Sequence, residues 1–416
     1  MAYGASPYDK ALMENWSHFC DRLKDAGKLL FKDLNPPTPL QRADGFRYLA
    51  QNLSQAFDLA LETKDTKYPM FEAFCSPTRK LGSDNADQIY LQAWIDGESV
   101  YKISGKKGTA RMWNITVQGP RSHASHPHEK RILHEPFGDT PEANIFGEEL
   151  KTNWDGSFEL FIGGEKQGQN WLPTTPGTRK LFLRQAFDSW DEEPAEYSIE
   201  RVGMSTPRPM PTPEQLVEAM RWAGDFVYNC ADFWPDWLLE TGENVDPKTL
   251  NHFKPGSGPQ RFSGQGDSID THRGRLVTMT RWALAPDEAL ILEFDHFEGF
   301  WMLTCESVFA NSMDYLYRPV SYTTSRTRVD PDGKVRLVMS ATDPGYANWV
   351  DNQGFTAGGL TFRNMRMRTM PDLRTTVVKA ADLARHMHPQ SPRVTPEERI
   401  AEMHRRFDAI RRRHRL

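Results

Sequence analysis

Apolar positions near the start of the chain recur in steps of three and four. The clearest stripe is Leu12, Trp16, Phe19, Leu23, Ala26 and Leu30, the period of one face of an amphipathic helix. Three further helices share a start signal: Thr38-Pro39 with Gln41, Thr212-Pro213 with Gln215, and Thr395-Pro396 with Glu398. Each supplies a hydroxyl N-cap, a proline at the first helical position and a side chain able to close a capping box. Phe46, Leu49, Leu53, Phe57 and Ala60 follow the first signal, and Leu216, Val217, Met220, Val227 and Ala231 the second. Ile400, Met403, Phe407 and Ile410 follow the third, with Arg399, Arg405, Arg406 and Arg411 to Arg413 between them. These stripes read as packing faces, and the arginines of the last helix as its solvated face or as partners of an acidic body.

Between the helices the period drops to two. Val100–Ile103, Ile115–Val117, Phe158–Ile162 and Lys180–Leu183 are short β-prone runs with turn signals at Asp96-Gly97 and Asp155-Gly156. Ala289–Phe294, Trp301–Cys305, Val335–Met339 and Leu360–Phe362 repeat that character, with Asp332-Gly333 as their hairpin signal. The two sets correspond in order. Asp155-Gly156, Asn170-Trp171 and Arg184 are echoed by Asp332-Gly333, Asn348-Trp349 and Arg363, each interval differing by one residue, and Met112-Trp113 is echoed upstream by Phe300-Trp301. Matches in one order define an internal repeat of roughly 80–90 residues.

The predicted fold is therefore α+β and mainly β. It has two related antiparallel β units, sandwich or barrel-like, with packed helices at the N-terminus, middle and C-terminus. The expected divisions are 1–94 as a helical lead-in, 95–205 as the first β unit and 206–284 as a middle helical region with a Gly-rich loop. Residues 285–374 are the second β unit and 375–416 a basic C-terminal helix.

The chain has 416 residues, 38% hydrophobic and 26% charged, with a net charge of -5. Residues 361–416 carry thirteen Arg and one Lys against six acids, a local +8. Because those arginines interleave with an apolar stripe, the tail reads as a helix and not as a nucleic-acid-binding arm. No apolar run approaches the ~18 residues of a membrane span. Cys20, Cys75, Cys230 and Cys305 are far apart, and the first residues lack a signal-peptide pattern. The expectation is a cytoplasmic protein with free thiols, without nucleic-acid or membrane partners; self-association to a homo-oligomer is left open.

The segments 169–185 around Asn170-Trp171, 343–354 around Asn348-Trp349, and 83–90, which reads Ser-Asp-Asn-Ala-Asp-Gln-Ile-Tyr, are long and specific. In them the chain resembles bacterial proteins carrying domain of unknown function 1214, a family related to 1254. The resemblance runs from about residue 45 to the C-terminal helix. It implies a β-rich, two-unit architecture with helical additions and a small-molecule role, and it supplies no reaction. It also marks Asn85 and Tyr90 as binding candidates. Two stretches depart from the family pattern: Ser321-Tyr322-Thr323-Thr324, and the long histidine-rich stretch from Pro120 to Lys151.

Residues shared by both units, Arg184 with Arg363 and Trp171 with Trp349, most simply serve the fold; polar residues that break the symmetry are candidates for chemistry. The most suggestive are Asp295, His296 and Glu298, before Trp301, where the first unit has only Gly105 to Gly108. On an extended segment His296 and Glu298 point to one side, as a general base and acid require. Asp351, opposite Pro173 of the first unit, joins them as a residue able to position water. Trp301, Trp349, Arg363, Arg184, Tyr90, Asn85 and Tyr322 are assigned to substrate binding. His126, His128 and His134 are weak metal candidates whose spacing does not fit a cupin set. No dinucleotide, Walker, nucleophile-elbow or zincin motif occurs, so no cofactor is expected. The functional expectation is a cofactor-independent enzyme using acid–base chemistry, by hydrolysis, elimination or isomerisation, on a small aromatic or apolar metabolite. The alternative is a non-catalytic small-molecule-binding or accessory protein of a catabolic pathway.

Overall fold

The computed structural model describes all residues except 1–3, 34, 121–138, 239–248, 254–274 and 367–369. Helices α1 (Asp9–Leu29), α2 (Pro39–Phe57), α3 (Pro213–Asp236) and α5 (Pro396–His414) begin where the Thr-Pro signals and the first stripe place them; α4 (Leu383–His386) is a single turn. Thr212 and Thr395 each close a full capping box. Thr38 accepts from the Gln41 backbone, and the Gln41 side chain accepts from the hydroxyls of Thr38 and Thr356 and donates to the carbonyl of Ala357. The cap of α2 is thereby tied to the second β unit.

Strand β1 (Glu72–Cys75) precedes the first unit, which holds β2 (Gln88–Trp94), β3 (Tyr101–Lys106), β4 (Met112–Gly119), β5 (Thr140–Phe146), β6 (Ser157–Ile162), β7 (Trp171–Leu172), β8 (Lys180–Ala186) and β9 (Glu196–Arg201). The second holds β10 (Arg275–Ala283), β11 (Glu288–Asp295), β12 (Phe300–Glu306), β13 (Ser321–Thr323), β14 (Lys334–Ser340), β15 (Trp349–Asp351), β16 (Ala357–Met365) and β17 (Arg374–Lys379). One sheet of the first unit runs β1-β2-β8-β4-β5 and the other β7-β6-β3-β9; in the second unit the orders are β10-β16-β12-β13 and β15-β14-β11-β17. Apart from the added edge strand β1, these are strand for strand the same topology, and the repeat holds at residue level. Asn114 lies opposite Arg184 on β8, and Met302 opposite Arg363 on β16. Trp171 lies opposite Phe161, and Trp349 opposite Val338, in the parallel strand pairs β6–β7 and β14–β15.

The sheets stay open, so each unit is a sandwich. Ile103, Ile115, Leu160 and Leu183 fill the first core, and Leu290, Phe294, Leu303 and Phe362 the second. Each unit begins one strand before the expected boundaries at 95 and 285, because β2 and β10 read as lead-in on local pattern but pair centrally with β8 and β16. Helices α1 to α3 cover both units, since their core also takes Tyr90, Phe182, Val277 and Met279. The units meet at Ala186, Phe300, Met302 and Met365.

Helix α5 departs from its predicted orientation. Ile400 is exposed, while Arg399, Arg406 and Arg413, seven residues apart, face inward with Ala409 and Ile410. Arg399 binds Asp343 and the carbonyl of Tyr346, Arg406 binds Ser321, and Arg413 donates to the carbonyl of Ser189. Arg406 and Arg413 also lie 4.9 and 5.4 Å from the Trp190 ring. The rigid guanidinium fork satisfies carbonyls that an apolar face would leave unpartnered.

Candidate functional site

Residues 82–87 pass between the two units as a buried loop. Gly82 (φ +65°) and Ser83 (φ +56°) both adopt the left-handed region. A Cβ at Gly82 would stand 2.9 Å from the Trp234 ring, and a non-glycine residue at positive φ is uncommon. The Ser83 turn is held on every side: its N–H donates to the carbonyl of Ala310, and its carbonyl accepts from Arg363. Its hydroxyl donates to Oε1 of Glu306 over 2.6 Å, and Thr361 donates to the same oxygen over 2.6 Å. Oε2 of Glu306 is buried with no hydrogen-bond partner. Burial pushes the Glu306 carboxyl up to about 7, against the opposing pull of Arg363 and the two hydroxyls.

Asp84 accepts from both the N–H and the hydroxyl of Ser312, and burial raises its carboxyl above the ordinary range. Asn85 accepts from the N–H of Asp87, and its own N–H donates to the Tyr90 hydroxyl, which burial drives up to about 12. Asp87 pairs with Arg326 at 2.5 Å.

Beside this loop lies a cavity of about 320 Å³ lined by Asp44 and Arg47 of α2, Lys80, and the segment from Ser307 to Arg318. Its volume falls in the range of small-molecule sites. Lys80 donates to the carbonyls of Ser312 (3.0 Å) and Met313 (2.5 Å) and stands 4.6 Å from the Tyr315 ring. Burial brings its ammonium down to about 8, although Asp84 and Asp314 favour the charged form. Asp44, beside the Ser307 hydroxyl, has a buried Oδ2 without a hydrogen-bond partner, and burial raises its carboxyl as well. At the rim, Arg318 binds Asp351 over 2.7 Å. The cavity thus gathers an amine and a carboxyl group whose proton affinities both move toward neutrality, the signature of acid–base sites.

Several predicted site residues come together here: Asn85 in the buried loop, Tyr90 on β2 and Arg363 on β16 hydrogen-bonded to it, and Asp351 at the rim through Arg318. Arg184 is buried over the Phe182 ring at 5.0 Å, in the corresponding place of the first unit. Asp295, His296 and Glu298 do not join them. They lie outside the core at the β11–β12 turn, Asp295 facing Arg374. Asp295 pairs with Lys334 at one end of β14, whereas Asp351 pairs with Ser340 at the other, about 20 Å along the strand. The expected four-residue acid–base set is therefore not one site. Trp301, Trp349 and Tyr322 are buried: Trp301 stacks on Phe362, Trp349 donates to the carbonyl of Ser340, and Tyr322 donates to that of Ala347. His126, His128, His134 and the Gly-rich loop from Gly256 to Gly266 lie outside the described residues, among which no metal-binding cluster occurs.

Sequence reasoning missed Asp44, Lys80 and Glu306. For Glu306 a signal existed: five residues beyond the paired Trp113 and Trp301, the repeat sets Gln118 against Glu306. This is a symmetry break of the kind sought at Asp295, but inside a strand.

Residues 86–186 match the model of the family described as protein of unknown function (DUF1214). The match spans β2 to β8 of the first β unit. The solved structure of an uncharacterised protein from Burkholderia cenocepacia is 28% identical, superimposes with a TM-score of 0.78, and covers 89% of this chain and 99% of its own. The VPA0106 protein from Vibrio parahaemolyticus covers 86% of this chain and 100% of its own at 11% identity and a TM-score of 0.44. No curated protein matches the sequence. Among the described residues no helix is long and apolar enough to cross a membrane.

Proposed function

We propose that this protein is an enzyme that moves a proton on a small anionic metabolite, without an organic cofactor, in the cavity between α2 and the Ser307–Arg318 segment. The observation that supports it is the convergence of Lys80 and Asp44 on one cavity, with the partnerless Oδ2 of Asp44 buried there. Two N–H groups of Lys80 are committed to backbone carbonyls, so the third position of Nζ carries the proton that is exchanged. Near neutral pH an amine lowered to about 8 is present in both forms, which suits a general base. Asp44 would return the proton, and Arg47 and Arg318 at the mouth would attract and hold a carboxylate. The charged lining favours a 2-hydroxy or 2-keto acid over the apolar metabolite expected from the sequence. Loss or migration of a proton next to a carbonyl leads to elimination or isomerisation.

A thermal-shift screen of 2-hydroxy and 2-keto acids, followed by NMR of the hits in D2O, tests this. Wild-type protein is expected to exchange the substrate proton for deuterium, and Asp44→Asn to lose at least about 100-fold of that rate while retaining its melting temperature; Lys80→Met is expected to lose the rate and also about 1–3 kcal/mol of stability, because the carbonyls of Ser312 and Met313 lose their donor. A hit that binds at this cavity and never exchanges would establish the non-catalytic binding role instead.

A further inference from the structure

Glu306 and Arg363 face each other across one hydroxyl. The Ser83 Oγ donates to Oε1 of Glu306 over 2.6 Å and accepts from the Arg363 guanidinium over 3.1 Å. On each side of it a buried atom is left over: Oε2 of Glu306 and Nη1 of Arg363 have no hydrogen-bond partner among the described residues. Arg363 spends its other terminal nitrogen on the Ser83 carbonyl. An acceptor and a donor able to satisfy each other are thus held apart by the turn between them.

That turn is strained, and it carries a clamp. Ser83 (φ +56°) and Ala310 (φ +51°) are both left-handed without being glycine, and the Ser83 N–H donates to the Ala310 carbonyl. Glu306 and Ser312 are bridge partners at the two ends of one hairpin, inside which the Ser307 N–H donates to the Asn311 carbonyl. Asp84, the next residue of the loop, holds Ser312 by its N–H and its hydroxyl, and the Ser312 carbonyl accepts from Lys80. A run of bonds through Ser83, Asp84 and Ser312 therefore joins Glu306 to Lys80.

The charges around Glu306 decide what its ionisation does. Facing it are Arg363 of β16 and Asp84 of the loop. Arg281 of β10 lies in the same cross-strand row beyond Gly359. Burial keeps the Cys305 thiol on its own strand protonated, and Tyr90 of β2, near Arg363, holds its proton to about 12. Asp84 opposes a second carboxylate, so Arg363 is the counter-ion across the hydroxyl, and a buried carboxylate demands one. A guanidinium also bonds more strongly to a carboxylate than to a carbonyl. We infer that Glu306 is a pH-operated latch on the 82–87 loop: on ionisation it draws Arg363 off the Ser83 carbonyl, the left-handed turn relaxes, and Asp84 lets go of the Ser312 hairpin that seats Lys80. Burial places that ionisation near neutral pH. As a control on the Lys80 cavity the latch rests on the function proposed above; as a movement of the loop it does not.

Amide hydrogen exchange of the full chain between about pH 5.5 and 8.5, corrected for the intrinsic rate at each pH, tests the latch. The Ser83 and Ser312 amides are expected to lose at least about tenfold in protection across that range, and to exchange faster than the amide of the fully buried Leu303, the mark of a local opening. Glu306→Gln should hold both amides at their low-pH protection throughout. Thr361→Val removes a donor that favours the charged carboxyl, so it should move the transition to higher pH, and it reads the latch even where Glu306→Gln fails to fold. Protection that stays flat with pH in the wild type, a transition that survives Glu306→Gln, or loop amides that exchange only at the rate of Leu303 would each overturn it. A metabolite that never exchanges its proton, beside a loop that responds to pH, would instead remove the proposed function and leave the latch standing.

Discussion

The two β units share strand order and register, yet they differ in the groups they bury toward the joint. Their likeness is clearest at Asn170 and Asn348. Each accepts from the N–H of a loop residue, Lys151 or Arg328, and donates both to that residue's carbonyl and to a strand carbonyl, of Glu159 or Arg336. Trp171 and Trp349 likewise donate to the equivalent carbonyls of Gly163 and Ser340. The contrast lies one strand away. Where the first unit has buried Gln118 and Phe182, the second has Glu306 hydrogen-bonded to Thr361. A neutral amide beside an aromatic ring needs no charge partner. A carboxyl in the same place needs Ser83, Thr361 and Arg363 around it, and they draw the 82–87 loop into the joint. The two units share one frame, and a few polar replacements set the second apart at the joint.

The largest test of the shared frame is Asn170→Ala and Asn348→Ala. Each substitution strips three buried hydrogen bonds, and each is expected to cost about 2–4 kcal/mol in denaturant unfolding. A large loss in one unit and none in the other would break the equivalence.

The next test exchanges the differing residues. The Glu306 carboxyl is raised on folding, so its contribution to stability is full below about 4.5 and is lost as pH rises through about 7. A tenfold change in proton affinity is worth about 1.4 kcal/mol. The wild type should therefore be up to about 3 kcal/mol less stable at pH 8 than at pH 4.5 on this account, and Glu306→Gln should remove that slope. Gln118→Glu should impose a slope of the same sign on the first unit.

Smaller is Arg406→Ala, which removes the two bonds to Ser321 and the contact with Trp190; a loss of about 1–3 kcal/mol is expected. Smallest are Asp295→Ala, His296→Ala and Glu298→Ala. Their place outside the core predicts an unchanged melting temperature and an unchanged rate of proton exchange.

The frame was legible in the sequence because capping signals, alternation and the paired Asn-Trp segments are local or repeated at fixed intervals. Thr212, Thr395 and the Trp113–Trp301 pair placed their elements to within a few residues. Helix α5 was read in part: Ile410 faces inward and Arg399 pairs with Asp343, as expected of a packed stripe and of arginines partnering an acidic body, but Ile400 is exposed and Arg406 and Arg413 turn inward to meet backbone carbonyls from distant loops. Such partners leave no mark near the helix. Lys80 is a lone lysine in a polar stretch, and only burial by α2 and the Ser307–Arg318 segment alters its proton affinity. The motif 83–90 stood out as a binding candidate, but what it binds, Glu306, Ser312 and Arg363, lies more than two hundred residues away.

The central claim is that the second unit holds a carboxyl group poised near neutrality where the first holds an amide. Carbon-13 NMR of protein labelled at glutamate carboxyl carbons, with Glu306→Gln to assign the resonance, measures it directly. A titration midpoint near 7 is the predicted result; a midpoint at or below the ordinary glutamate value of about 4.3 would contradict the account.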